Sequence, residues 1–117
     1  MCSLFGIYDY GRRFNERQLS KAVHVLAREA EIRGKDATGI AYNHNGKMTV
    51  FKRDLPAHKM RFRIPRGTRA VMGHTRLTTQ GSEKYNENNH PFPSKHFALA
   101  HNGVLTNDQT LRIIHDL

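Results

Sequence analysis

The chain has 117 residues, room for one small domain with a single core. At 38% hydrophobic and 25% charged residues it reads as a globular chain and not a disordered one, and no apolar run is long enough to cross a bilayer. The formal net charge of +9 favours anionic partners, but the basic residues are dispersed and not gathered into one block.

The first segment, Ser3 to Tyr10, is rich in Leu4, Phe5, Ile7 and Tyr8 and predicts a strand at the chain end. Asp9 interrupts it too early for the apolar core of a signal peptide. Asn15 followed by Gln18 has the spacing of a helix start with a capping-box partner. Leu19, Ala22, Val23, Leu26, Ala27 and Ala30 then recur at helical spacing, so one stripe should face a core. Gly34, just past Arg33, is the expected stop.

Ala37 to Tyr42 and Met48 to Phe51 predict two strands. Asn45-Gly46 between them is a tight-hairpin signal, because both residues tolerate positive φ. From Arg53 to Thr68 regular structure is broken by Pro56 and Pro65. The densest basic stretch, Lys52 to Arg69, overlaps this region. It has no RNP-like motif or zinc-finger spacing, and the expectation is a solvated basic loop or short helix.

Arg69 to His74 predicts another strand, and Thr78 to Asn89 a polar loop. His96 to His101 predicts a strand ending at Asn102-Gly103. Asn107 should cap a last helix with Leu111, Ile114 and Leu117 on one face. Hairpins layered with helices make an α+β chain.

The chemistry begins at Cys2, the only cysteine. A lone thiol excludes an internal disulfide and fits a reducing, cytoplasmic setting. If Met1 is removed, Cys2 carries both a nucleophilic thiol and an α-amine. That amine titrates at about 7.7–8.0, close enough to neutrality to serve as a base. An oxyanion needs donors, and the Asn102 side chain and the Gly103 backbone N–H can converge on one oxygen, although Asn-Gly alone is more often a plain turn. Arg76, at a predicted strand end, can grip a carboxylate with two parallel hydrogen bonds; its plain alternative is a surface arginine. The loop after it offers Thr78, Thr79, Gln80 and Gly81. Of the eight histidines, His74, His90 and His101 lack close ligand spacing, so no metal site is expected, and Asn88 to Pro91 reads as a structured turn.

Five blocks then occur in order: Met1-Cys2-Ser3-Leu4-Phe5-Gly6-Ile7; Arg33-Gly34-Lys35-Asp36-Ala37-Thr38-Gly39; His74-Thr75-Arg76-Leu77-Thr78-Thr79-Gln80-Gly81; Asn89-His90-Pro91-Phe92; and His101-Asn102-Gly103-Val104-Leu105-Thr106-Asn107. Together they resemble the class II glutamine amidotransferases over almost the whole chain. The resemblance implies an N-terminal-nucleophile-hydrolase fold, an αββα sandwich of two stacked antiparallel sheets between helix layers, of which this chain would hold the N-terminal part. Residues 1–117 would then be a type-2 amidotransferase domain, incomplete at its C-terminal side relative to the family.

The resemblance implies hydrolysis of the glutamine side-chain amide to glutamate and ammonia through a Cys2 thioester, without a cofactor. It makes Cys2 the nucleophile and Asn102 and Gly103 the oxyanion hole. Arg76 would pair with the glutamine α-carboxylate, and Thr79 would contact substrate. Arg33, Gly34, Asp36, His74 and His101 would be supporting residues, the block from Arg33 to Gly39 packing beside the nucleophile. Ser3 stands where well-known members have glycine. Leu77 and Gln80 replace an aromatic residue and a histidine common in the sugar-phosphate synthases, so that subfamily is not implied. Asp108 and Asp116 do not match the family's later substrate-amine motif.

The expected partners are glutamine and an acceptor-synthase domain or chain, with no membrane. A truncated sheet would also expose an edge and an apolar face, favouring an oligomer or a completing partner. Two other readings stand beside the enzyme: a catalytically silent remnant acting as a binding domain and, weaker, a basic nucleic-acid-binding domain.

Overall fold

The computed structural model describes residues 2–79 and 81–117. Expectations on Met1 and Gln80, including removal of Met1, lie outside the described residues. Four strands form one antiparallel sheet: β1 (Ser3–Tyr8), β2 (Ala37–His44), β3 (Lys47–Arg53) and β4 (Ala70–Arg76), in the order β1-β4-β2-β3. Helix α1 (Glu16–Ala30) lies between β1 and β2 in the chain and continues as a 3₁₀ turn, Glu31–Arg33. A two-stranded pair, β5 (Phe92–Pro93) with β6 (Ala98–Leu99), and helix α2 (Asp108–Ile114) complete the fold. The chain is of the α+β class, with an arrangement consistent with part of an N-terminal-nucleophile-hydrolase sandwich.

Helix α1 starts where its sequence says it should. Asn15 Oδ1 accepts the Gln18 backbone N–H at 2.8 Å, and Gln18 Oε1 accepts the Asn15 N–H at 3.0 Å. Leu19, Val23, Ala27 and Ala30 are its buried stripe. Leu19, Val23 and Ala27 pack with Ile40 and Val71 of the sheet, against which Phe5, Ile7, Tyr42 and Phe51 close. Each fully buried Leu or Val contributes about 1.5–3 kcal/mol of transfer free energy. The β2–β3 turn has both Asn45 (φ 52°) and Gly46 (φ 73°) in the left-handed region, as its sequence predicts.

Several expectations need correction. Gly34 follows the helical segment, but at φ −165° it is extended and not a left-handed cap. The reason for glycine there is close approach. A Cβ would sit 2.7 Å from the Arg76 carbonyl carbon and 2.8 Å from that of Thr75.

The stretch Lys52 to Arg69 is neither a solvated loop nor an ordinary helix. Lys52 and Arg53 end β3; after them, apart from a short 3₁₀ turn at Ala57–Lys59, the chain runs as an extended strap over α1, burying Ala57, Met60, Phe62 and Ile64 while Arg61 and Arg63 face outward. Its backbone is satisfied by helix side chains. The Phe62 N–H donates to His24 Nε2 at 3.1 Å, and the Ile64 N–H to Ser20 Oγ at 2.9 Å.

The strand expected over His96 to His101 shrinks to Ala98–Leu99, because its partner offers only Phe92 and Pro93. Asn107 is the first flanking residue of α2, but its side chain makes no capping bond, and no residue of α2 is buried. On the sheet face away from α1, an open groove of about 500 Å³ is lined by Tyr8, Ala41, Met48, Ala70 and Met72 among others.

Candidate active site

Cys2 precedes β1, and its register brings it to the end of β4. Ser3 pairs with Thr75, so Cys2 lies beside the residues that follow Arg76. The Leu77 backbone N–H donates to Cys2 Sγ at 3.3 Å, and the thiol reaches back to the Leu77 carbonyl at 3.5 Å. These two contacts hold the sulfur against the Leu77 peptide.

The segment around Leu77 is itself held by the Arg33 to Gly39 block. Gly34 packs on the Thr75 and Arg76 backbone. The Asp36 N–H donates to the Arg76 carbonyl at 3.0 Å, and Asp36 Oδ2 accepts the Thr78 N–H at 2.7 Å. Asp36 thus supports the sulfur at one remove. Arg33 is exposed and shares a shallow surface groove with Gly34, Asp36 and Leu77, outside the cleft that Cys2 lines.

That cleft has a volume of about 270 Å³. Its walls include Cys2, Arg76, Thr79, His90, His101 and Gly103. Residues a hundred positions apart therefore share one cavity. Asn102 is exposed and is not among the wall residues. Asn102 and Gly103 do not form a plain hairpin turn, since among the described residues no pair of strands is joined across them.

Arg76 is 5% exposed. Its Nη1 donates to Asn89 Oδ1 at 3.0 Å and its Nη2 to the Gly81 carbonyl at 2.7 Å. These bonds fix the plane of a guanidinium that reaches the cleft wall. Asn89, wholly buried, is oriented in turn by donating to the Glu83 carbonyl at 2.8 Å.

His74 lies behind the cleft, and its ring stacks on His90 with centroids 4.0 Å apart and 15° between the planes. Burial pushes His74 down to about 4. Arg76 and His101 repel its charged form as well, and the His101 backbone offsets this in part without reaching hydrogen-bond geometry. His90 is also pushed down to about 4, by burial first and then by His74, Arg76, His101 and Lys52. Lys52 donates through Nζ to the Asn89 carbonyl at 2.6 Å, and burial holds its pKa below the usual lysine range, with Glu87 offsetting part of this.

Asn89 and His90 lie in the stretch Asn88 to Pro91, whose residues by themselves predict only a structured turn. The available signal was their place inside the Asn89 to Phe92 block. Among the described residues, no group of three or more His, Cys, Asp or Glu side chains could hold a metal ion. No helix among the described residues is long and apolar enough to cross a membrane.

The sequence is 32% identical over 115 residues to the glutamine–fructose-6-phosphate aminotransferase (isomerizing) of Bacillus anthracis. It is 34% identical over 121 residues to the protein of the same name from Staphylococcus aureus (strain COL). Both matches take in 96% of this chain, which spans only 18% of each relative. No protein-family model matches the chain, and no solved structure matches it.

Proposed function

We propose, from the premise that this chain belongs to the class II glutamine amidotransferase family, that residues 1–117 form a glutaminase domain acting through Cys2. The observation that supports this reading is the shared cleft: Cys2, Arg76, Thr79, His101 and Gly103 line one cavity. The cleft takes glutamine. Arg76 holds the α-carboxylate through its planar fork, and Thr79 contacts the substrate beside it.

The Cys2 thiolate adds to the carboxamide carbon, and the carbonyl π pair moves onto oxygen. The Gly103 backbone N–H, on the cleft wall, stabilises that oxyanion, and the Asn102 side chain joins it by turning in from its exposed position. One such donor is typically worth about 2.7–4 kcal/mol in the transition state. The oxyanion collapses, the C–N bond breaks, and the Cys2 α-ammonium protonates the departing ammonia. The same amine then deprotonates a water that attacks the thioester, releasing glutamate and the thiol. This sequence requires removal of Met1.

The relatives' names join glutamine to fructose 6-phosphate. For this chain an acceptor-synthase domain or chain would receive the ammonia, in a cytoplasmic setting. A catalytically silent interaction domain is the second reading, favoured by the open apolar groove on the sheet.

The test is glutaminase assay of the processed chain with intact-mass measurement, alongside Cys2→Ser and Cys2→Ala. Loss of the methionine mass, covalent labelling of Cys2 by a glutamine-mimicking electrophile, and a fall in rate to background in both variants are expected. An undiminished rate in Cys2→Ala removes the nucleophile. A processed chain that neither turns over glutamine nor takes the label leaves the silent domain.

A further inference from the structure

The loop after β4 folds back over the sheet and ends in a clamp. His74 is 1% exposed, and among the described residues neither Nδ1 nor Nε2 has a hydrogen-bond partner. A buried polar group without a partner is costly and calls for an explanation. The stack supplies one: His74 offers a flat face, and the His90 ring lies on it. The Phe92 ring approaches His90 at 4.4 Å, tilted by 45°. Just before His90, Asn89 is gripped from two strands, its carbonyl by Lys52 and its side chain by Arg76. The His90 ring is thus fixed by the sheet beneath it and by its neighbours in the chain.

The edge of this fixed ring does one more thing. The backbone N–H of His101 donates to His90 Nδ1 at 3.1 Å. Nδ1 can accept only in a neutral imidazole whose proton is on Nε2. The accepted N–H belongs to the residue just before Asn102-Gly103, and His101 and Gly103 stand on the cleft wall with Cys2. The segment has little else to hold it. Between β6 and α2 there is no strand, and Asn102 and Gly103 are exposed.

We infer that His90 is a positioning residue: seated on His74, it receives the His101 N–H and so holds the 101–103 segment across the cleft from Cys2. What that segment does for the reaction rests on the proposed glutaminase function; the hydrogen bond and the stack do not. Although His90 also lines the cleft, the role inferred for it is through the backbone it holds.

Two substitutions separate its two contacts. His90→Phe keeps a flat ring for the stack and removes the acceptor. His90→Asn gives up the stack and returns an acceptor oxygen close to the Nδ1 position. Amide hydrogen exchange followed by NMR reads the segment directly. In His90→Phe the His101 amide should exchange at least tenfold faster than in the wild type, with Ile40 and Gly73 in the sheet unchanged. In His90→Asn part of that protection should return. Glutamine turnover should show the same order, with His90→Phe lowering kcat tenfold or more while KM stays within twofold.

Equal His101 exchange in wild type and His90→Phe overturns the inference. If the variants do not fold, the ¹⁵N shifts of the wild-type His90 ring at pH 7.5 decide it: an unprotonated Nδ1 supports the acceptor role, and a protonated Nδ1 refutes it. A wild type that hydrolyses no glutamine sinks the proposed function, while exchange and ring shifts still decide what His90 does.

Discussion

His74 and His90 should make this fold acid-sensitive well above the range where carboxylates protonate. In the unfolded chain a histidine takes up its proton from about pH 6.5, whereas both rings in the folded chain do so only near 4. Between those values the unfolded state binds more protons. Stability is therefore complete above pH 6.5, falls as the pH drops through the window, and levels off below 4. For His74, moving from pH 7.5 to 5.0 costs about 2 kcal/mol by proton linkage. His90 is only half-buried and adds less, because solvent screens its charge. For a domain of this size, about 2 kcal/mol lowers Tm by roughly 8 °C. The perturbation is His74→Phe, which keeps a ring face for His90 and removes two buried nitrogens that have no hydrogen-bond partner. At pH 7.5 it should match the wild type to within about 1 kcal/mol, since replacing an unsatisfied polar group by an apolar one of similar shape is close to neutral. At pH 5.0 it should be the more stable by about 2 kcal/mol. Urea unfolding followed by circular dichroism at the two pH values measures both. If wild type and His74→Phe lose the same stability on acidification, the buried imidazole is not the source of the effect and the reasoning fails.

Gly39→Ala should lift the loop off the sheet. A Cβ there would collide with the His90 carbonyl oxygen and sit 2.8 Å from Lys52 Cβ and 3.0 Å from Pro91 Cδ; a loss of about 1–3 kcal/mol in chemical denaturation is expected, and an unchanged midpoint would show that the loop yields freely. Arg76→Lys replaces a planar fork by a point charge, so KM for glutamine should rise at least tenfold with a smaller change in kcat; an unaltered KM removes Arg76 from the substrate carboxylate. Asn15→Ala deletes one side of the capping box at the start of α1, and thermal unfolding should report a loss of about 1 kcal/mol.

The parts of the fold that could be read from the sequence are those whose causes are local. The α1 capping box needs only Asn15 and Gln18, and the buried stripe only a period of 3.6. The β2–β3 turn needs only Asn45 and Gly46. The strap after β3 hid for the opposite reason. Its alternation of Met60, Phe62 and Ile64 with Arg61 and Arg63 is strand-like, but no strand accepts its hydrogen bonds. His24 and Ser20 on α1 accept them, a pairing across about forty residues that no local rule announces. The run from His96 to His101 failed as a strand because its length was set by its partner and not by its own residues.

The candidate site divides along the same line. Cys2, Arg76 and Gly103, which line the cleft, could be singled out as candidates, because a terminal thiol, an arginine at a strand end and a glycine beside an asparagine each carry chemistry in their residue type. Their convergence could not, because it is made by tertiary contacts: the β1–β4 register that brings Cys2 to Leu77, and the Asp36 carboxylate that holds Thr78. His90 shows the remaining gap. In sequence, Asn-His-Pro is a turn, and only a buried partner earlier in the chain, His74 on β4, turns the imidazole into a fixed acceptor. An imidazole held neutral by burial beside Arg76 and Lys52 is of little use as a surface residue. It suits the positioning role proposed for it, which is to keep the His101 backbone N–H in place. The stability given up on burying His74 without hydrogen bonds is then the cost of a rigid seat for the segment that carries Gly103.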